Sequence, residues 1–209
     1  MHEPPPPPYK WDVRYAGPGW AFGTEPNDFL REMAPRLPPG RVLCLAEGEG
    51  RNAVHLAGLG HEVTAVDLSP VGIEKTLALA AGRGVRVRAE VADLADYVIT
   101  PGHWQGIVSI FAHVPREVRG PLHRAVVAGL APGGVLVLEA YTPAQEDCGT
   151  GGPSEPARFM TLEDLRQELR GLEFLDAREL ERDVIEGRYH TGRAAVVQLV
   201  ARRPERTGD

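Results

Sequence analysis

Cysteine is scarce in this chain: Cys44 and Cys148 are the only two in 209 residues. Cys44 falls in a predicted buried strand and Cys148 in a glycine-rich loop, so no disulfide is expected and the chain reads as cytoplasmic. Long apolar runs are absent too, and nothing approaches the ~18 residues of a membrane span. The N-terminus is rich in proline where an export signal would be apolar, so neither secretion nor a membrane partner is expected. Positive charge is not in excess: 23 Lys and Arg stand against 29 Asp and Glu, a net charge of −6. A general nucleic-acid binder shows a basic face, so no nucleic-acid partner is expected. His55, His61, His103 and His123 lack metal-ligand spacing with acids or cysteines, and no metal is expected. There is no internal repeat. What remains is a chain of ordinary hydrophobic and charged content, sized for one α/β domain.

The chain is organised around Arg41–Arg51, RVLCLAEGEGR. Val42–Ala46 is a short apolar run of the kind buried on both faces of a parallel sheet. Glu47-Gly48-Glu49-Gly50 turns it into a helical pattern with Ala53, Leu56 and Ala57 on one face. A strand entering a helix through glycines leaves backbone N–H groups unpaired and lets a ligand approach the backbone closely. Glu62–Val66 is a second strand ending in Asp67, about 20 residues past the glycines, where such folds place a carboxylate for ribose hydroxyls. Gly48-x-Gly50-x-x-Ala53 also satisfies the loose dinucleotide fingerprint, so the turn alone leaves the nucleotide open.

Ahead of this stretch, Pro4–Pro8 predicts a disordered tail over residues 1–8. Residues 9–40 form an aromatic-rich prologue: Trp11 and Tyr15 share a helical face, and Gly17-Pro18-Gly19 precedes Trp20, Phe22 and Gly23. Thr24-Glu25-Pro26 is expected to open a helix carrying Phe29, Leu30, Met33 and Leu37. The prologue is either a fixed cover of a sheet edge or a lid over a ligand. Residues 41–203 form the domain proper, and 204–209 a second tail. Within the domain, Ser69-Pro70 starts a helix, Val85–Ala89 reads as a third strand and Gly106–Phe111 as a fourth. Gly120-Pro121 is expected to split the next helix, leaving Leu122–Leu130 as its body. Val135–Ala140 makes a fifth strand, Tyr141–Arg158 a long loop, and Thr161 caps a helix over 162–171. Glu173–Leu180 and Gly192–Ala201 then read as an antiparallel pair joined by Glu181–Thr191.

Five βα-type strands followed by a terminal hairpin resemble the class I S-adenosylmethionine-dependent methyltransferases. The motifs carrying the resemblance are LCLAEGEGRN, VTAVDLSP, VADL and LAPGGVLVLEAY, in that order. WDVRYAGPGWAFGTEPNDFL, IFAHVP and EGRYHTGRAAVVQLVAR look most like the tellurite-resistance and thiopurine-type members. The resemblance implies a Rossmann-like, doubly wound, mostly parallel seven-stranded sheet with an antiparallel C-terminal hairpin. It implies S-adenosylmethionine as cofactor, held around Ala46, Glu47, Gly48, Gly50 and Asn52, with Phe111 alongside. It assigns Asp67 to the ribose hydroxyls, Leu68 to the adenine face, Asp93 to the adenine amine and Leu94 to apolar contact beside it. The chain departs from the family where Cys44 replaces the usual strand acid and Ala46 the first glycine. Glu47 either supplies the missing charge for the methionine amino group or is, like Glu49, a solvated turn residue.

Strand ends line the crevice of such a sheet. His113, Tyr141 and, from the hairpin, His190 are therefore candidate catalytic groups. Trp11, Tyr15, Trp20, Phe22, Gly23, Arg116 and Arg188 are candidates for the acceptor side or the lid. His113 has the alternative of capping a helix or binding a carbonyl, and Arg116, Arg188 and Arg193 either form an anion site or are scattered surface cations. The expected activity is methyl transfer to a small nucleophile, a thiol or chalcogen oxyanion among them. A non-catalytic module sensing S-adenosylmethionine or its demethylated product is the alternative, and an NAD(P)-dependent oxidoreductase a third reading.

Overall fold

The computed structural model of the protein describes residues 10–205. The proposed tail over residues 1–8 and the last residues, 206–209, lie outside them. Seven strands form one sheet in the order β3-β2-β1-β4-β5-β7-β6. β1 (Arg41–Leu45) is central, pairing in parallel with β2 (Glu62–Asp67) and with β4 (Trp104–Ile110). Its side chains alternate between the two faces, as a strand's period of two requires. Val42 and Cys44 pack with α2 (Asp28–Met33), α3 (Arg51–Gly58) and α4 (Pro70–Gly82). Leu43 and Leu45 pack on the other side with α5 (Arg116–Gly129) and α6 (Leu162–Glu168). Helices cover both faces, which explains the unbroken apolar character of β1.

β5 (Leu130–Tyr141) runs parallel to β4, and β7 (His190–Arg202) runs antiparallel to β5. β6 (Glu173–Glu186) is antiparallel to β7 and so points the same way as β5. The turn after β6 thus reaches the edge of the sheet where β1, β2, β4 and β5 also end. Strand order reverses between β1 and β4, and in open α/β sheets ligands bind outside the carboxyl ends of the strands at that point.

Several boundaries differ from the sequence-based expectation. Asn27, not Thr24, caps the second helix, its side chain accepting the Leu30 N–H, because that side chain is held in a buried network described below. β3 is Arg88–Val91, pairing with β2 only from Arg88 onward, while Val87 turns into the core. Pro121 sits inside α5 without ending it, since Leu122 and Val126 are buried on its inner face. β5 begins at Leu130, ahead of the Val135 expected, with Pro132-Gly133-Gly134 an irregularity within it opposite a register shift between Trp104 and Gly106. The long connection expected over Glu181–Thr191 is almost entirely strand, and only residues 187–189 make the turn. The helix capped by Thr161 is shorter than expected, ending at Glu168.

Candidate functional site

Ala46 and Phe111 are the first residues beyond β1 and β4, flanking the switch point. They are the two non-glycine residues with positive φ among the described residues, at 48° and 54°. Left-handed backbone at an L-residue is costly, and such positions concentrate at functional sites. In the turn between them, Gly48 and Gly50 have φ of 68° and 91°. A side chain on Gly50 would drive into Thr76 of α4, and one on Gly48 would meet the Tyr15 hydroxyl at 2.8 Å. The glycines therefore let the turn pack against α4 on one side and the prologue on the other.

Asp67 is buried at the end of β2. One of its oxygens accepts the Gly48 N–H and the other the Ser69 N–H, both at 2.8 Å. Burial raises its pKa, opposed by those two bonds. Each oxygen keeps acceptor capacity, as a group holding two hydroxyls must. Leu68 beside it is exposed although large and apolar. Across the edge, Asp93 is exposed, with Oδ1 accepting the Ala95 N–H, while Leu94 is buried in the core. This set of acceptors fits an adenine nucleoside: carboxylates for hydroxyls and an amine, with exposed Leu68 beside them.

Glu47 and Glu49 are both buried, which corrects the solvated-turn reading. Glu47 Oε1 accepts the N–H groups of Asn52 and Ala53, capping α3 from within the turn. Burial lifts its pKa to about 7 against the effect of those bonds and of Arg51. Cys44 beneath it is fully buried, and burial followed by Glu47 pushes its thiol further up, so it is inert. Glu49 instead fastens the prologue: it accepts the Ala21 N–H at 2.6 Å and Lys75 Nζ at 2.9 Å. Lys75 in turn donates to the carbonyls of Gly17 and Gly19. A third fastening joins Ser69 to Asp12 of α1 (Lys10–Tyr15).

The prologue aromatics divide. Trp20 packs against the core beside α2 and α3. Trp11, Tyr15 and Phe22 cluster, and Phe22 continues to Tyr189 at 6.0 Å and His190 at 4.6 Å, ring centre to ring centre. His190 meets Phe111 at 5.0 Å and Tyr141 at 5.6 Å. Gly187 is required in the turn because a side chain there would strike the Ala21 carbonyl. Prologue, hairpin turn and strand ends thus close on one another, with Gly23 packed against Gly187.

His113 is half-buried with both ring nitrogens engaged. Nδ1 donates to the Arg158 carbonyl at 3.0 Å and Nε2 accepts the Tyr141 N–H at 3.3 Å. Burial lowers its pKa to about 4. It is a neutral strut between β5 and the following loop. Tyr141 is buried, and burial, then Glu186 and Glu139, raise its phenol well above the ordinary range, so it stays protonated. The three arginines do not converge: Arg116 faces Asp164, Arg193 pairs with Glu181, and Arg188 lies against Gly17.

Sequence reasoning missed a buried polar network behind this edge. Glu139 accepts from Asn27, Arg182 and Gln198. Glu186 accepts from Asn27 at 2.8 Å, Arg51 at 2.6 Å and His190 Nδ1 at 3.4 Å. A signal existed: Glu139 is a lone acid in the otherwise apolar VLVLEAY. A hollow of about 390 Å³ lies between residues 22–28, Arg51 and the end of β6.

A methyltransferase-domain family model matches residues 42–134. Residues 42–134 thus match a methyltransferase domain, and the sheet has the Rossmann-like fold of S-adenosylmethionine-dependent methyltransferases. It is similar to the tRNA 5-carboxymethoxyuridine methyltransferase of Escherichia coli, 33% identical over 54% of this chain and 43% of that protein. It is also similar to the ubiquinone biosynthesis O-methyltransferase of Xanthomonas campestris, 30% identical over 59% of this chain and 53% of that one. The chain spans about half the length of these curated relatives. Among solved structures, one described as converting a disulfide bond into a thioacetal group during echinomycin biosynthesis superposes with a TM-score of 0.74. It is 23% identical and covers 95% of this chain and 92% of its own. TehB from Haemophilus influenzae gives a TM-score of 0.69 at 20% identity, covering 83% of this chain and 61% of its own.

Proposed function

We propose that the protein transfers a methyl group from S-adenosylmethionine to a small-molecule acceptor, in the manner of the tellurite-resistance and thiopurine-type enzymes. The observation that carries this is Asp67, buried at the switch point and preset by two backbone N–H groups, beside exposed Leu68 and Asp93. Asp67 holds the ribose hydroxyls, Leu68 and Leu94 flank the adenine, and Asp93 accepts its amine. Glu47, whose carboxylate replaces the strand acid lost at Cys44, attracts the methionine amino group. When bound, the cofactor supplies a methyl already activated on a sulfonium. The protein's own work is then to position the acceptor in line and to exclude water. Trp11, Tyr15 and Phe22, fastened to the cofactor turn through Glu49, Lys75 and Asp12, form the cover. A small acceptor suits an edge roofed by aromatic rings, and a net charge of −6 does not favour a polyanion.

A thermal-shift comparison tests the cofactor, since a ligand of the native state raises apparent stability by RT ln(1 + [L]/Kd). S-adenosylmethionine and S-adenosylhomocysteine should stabilise, and NAD(P) should not. Radiolabelled methyl transfer over thiols, oxyanions and bulk tRNA then reads the acceptor. Label in tRNA alone overturns the small-molecule reading, and binding without transfer to anything marks a sensor.

A further inference from the structure

Glu186 and His190 face one another as cross-strand partners on either side of the three-residue turn that ends β6 and starts β7. The turn sits at the edge where the parallel strands end. The imidazole is walled by rings from three separate elements: Phe22 of the prologue, Phe111 beyond β4 and Tyr141 of β5. Its Nδ1 faces Glu186 Oε2 at 3.4 Å, while Nε2 has no bonding partner among the described residues. That contrasts with His113, whose two nitrogens are both consumed by backbone. Glu186 is buried, and two further side chains, Arg51 and Asn27, fix its orientation.

We infer that His190 is the general base of the reaction, that Glu186 is its positioning residue, and that the acceptor is a protic nucleophile still protonated at neutral pH, of the thiol class. The inference rests on the methyltransferase reading. A carboxylate at Nδ1 selects the tautomer with the proton on Nδ1 and leaves the Nε2 lone pair for the acceptor, the logic by which an acid orients a histidine base. The separation of 3.4 Å is at the long end of a hydrogen bond, and catalytic bonds are often long until the reactants are in place. In the transfer, the acceptor X–H gives its proton to Nε2 and its electron pair forms the X–CH₃ bond. The S–CH₃ bond breaks with its electrons returning to sulfur, which becomes a neutral thioether. The imidazolium later releases its proton to water. Glu186 stays ionised throughout: burial opposes this, but the His190 bond and Arg51 outweigh it and hold its pKa at about 2. The groups bearing on the imidazole's charge are Glu186 from β6, Tyr189 in the turn, Tyr141 and, beyond it, His113, with Arg51 and Arg182 acting on the same carboxylate.

The test compares wild type, His190→Asn and Glu186→Gln with two acceptor probes, 2-mercaptoethanol, mostly protonated at pH 7, and 4-nitrothiophenol, mostly ionised. Calorimetric titration with S-adenosylhomocysteine should give unchanged affinity in all three proteins; failure of wild type to bind sinks the methyltransferase reading itself. With binding intact, His190→Asn should lower kcat for 2-mercaptoethanol about 100-fold or more, the usual range for a lost base. The same variant should lose less than about threefold with 4-nitrothiophenol, which needs no base. Glu186→Gln should lower the 2-mercaptoethanol rate and move the acid limb of its pH profile. Nitrogen-15 NMR of unliganded wild type should show His190 as the Nδ1–H tautomer, relaxing to a mixture in Glu186→Gln. Equal losses on both probes, or an Nε2–H imidazole in wild type, would overturn the inference.

Discussion

Glu47 and Asp67 are both buried carboxylates at strand ends, yet their surroundings set them different tasks. Asp67 has one backbone donor on each oxygen. Asp67→Ala removes the charged acceptor proposed for the two ribose hydroxyls, and charge-assisted bonds of that kind are worth about 2–3 kcal/mol or more. Cofactor affinity should fall by roughly 30-fold or more while the thermal transition stays cooperative. Glu47 spends one oxygen on the start of α3 and is poorly solvated. Its folded pKa of about 7 lies above the ordinary 4.5, so the folded chain holds that proton more tightly than the unfolded one. The stability this brings is present below pH 4.5 and is lost as pH rises through 7, by roughly 2–3 kcal/mol. Glu47→Gln keeps an oxygen for Asn52 and Ala53 but cannot ionise. Its melting temperature should match wild type near pH 4 and exceed it by several degrees at pH 8, in scanning calorimetry. A difference that does not vary with pH would mean that Glu47 is solvated.

Elements were legible in the sequence wherever a buried run or a cap acted alone. Val42–Ala46, Glu62–Val66 and Gly106–Phe111 are apolar because two faces are covered, and their strands stand where that pattern put them. Ser69 and Thr161 cap their helices as their positions suggest. What was not legible depended on distant partners. Asn27 caps α2 because Glu139 and Glu186, more than 100 residues away, fix its side chain. The hairpin strands continue through the charged stretch Glu181–Glu186 because alternate residues pair inward with Arg51 and Glu139, which a propensity reading takes for loop. α5 and α6 are joined by a similar device: Arg119 is almost fully buried and donates to Glu168, which also takes His123 Nδ1 at 2.7 Å. Burial would raise the Glu168 pKa, but His123 and Arg119 outweigh it and hold it at about 2. Stability from this depressed pKa is present above pH 4.5 and lost as pH falls towards 2. Glu168→Ala leaves the buried Arg119 with only the more distant Asp164, at 3.7 Å, as an anionic partner and should cost about 3 kcal/mol at pH 7. Urea denaturation should show that cost shrinking towards pH 3; a constant cost would mean that only packing was lost.

At the scale of the whole molecule, the prologue belongs half to the core and half to the crevice. Ala21 and the α2 face are buried with the domain, whereas α1 lies over Gly48 and Gly72 through Tyr15. Deleting residues 1–17 removes Trp11 and Tyr15 and spares Trp20 and Ala21. If α1 is a cover, the shortened chain folds, S-adenosylhomocysteine dissociates at least about tenfold faster in stopped-flow displacement, and methyl transfer is lost. Loss of the cooperative transition with and without cofactor would make α1 part of the core instead.

The proposed S-adenosylmethionine site at Asp67 is tested most directly by isothermal titration of S-adenosylhomocysteine into wild type and Asp67→Ala at pH 7.5. One molecule should bind per wild-type chain, with binding weakened about 30-fold or more in a variant whose melting curve remains cooperative. Equal affinity in the two proteins, or binding of NAD(P) in place of S-adenosylhomocysteine, would contradict an S-adenosylmethionine site at this carboxylate.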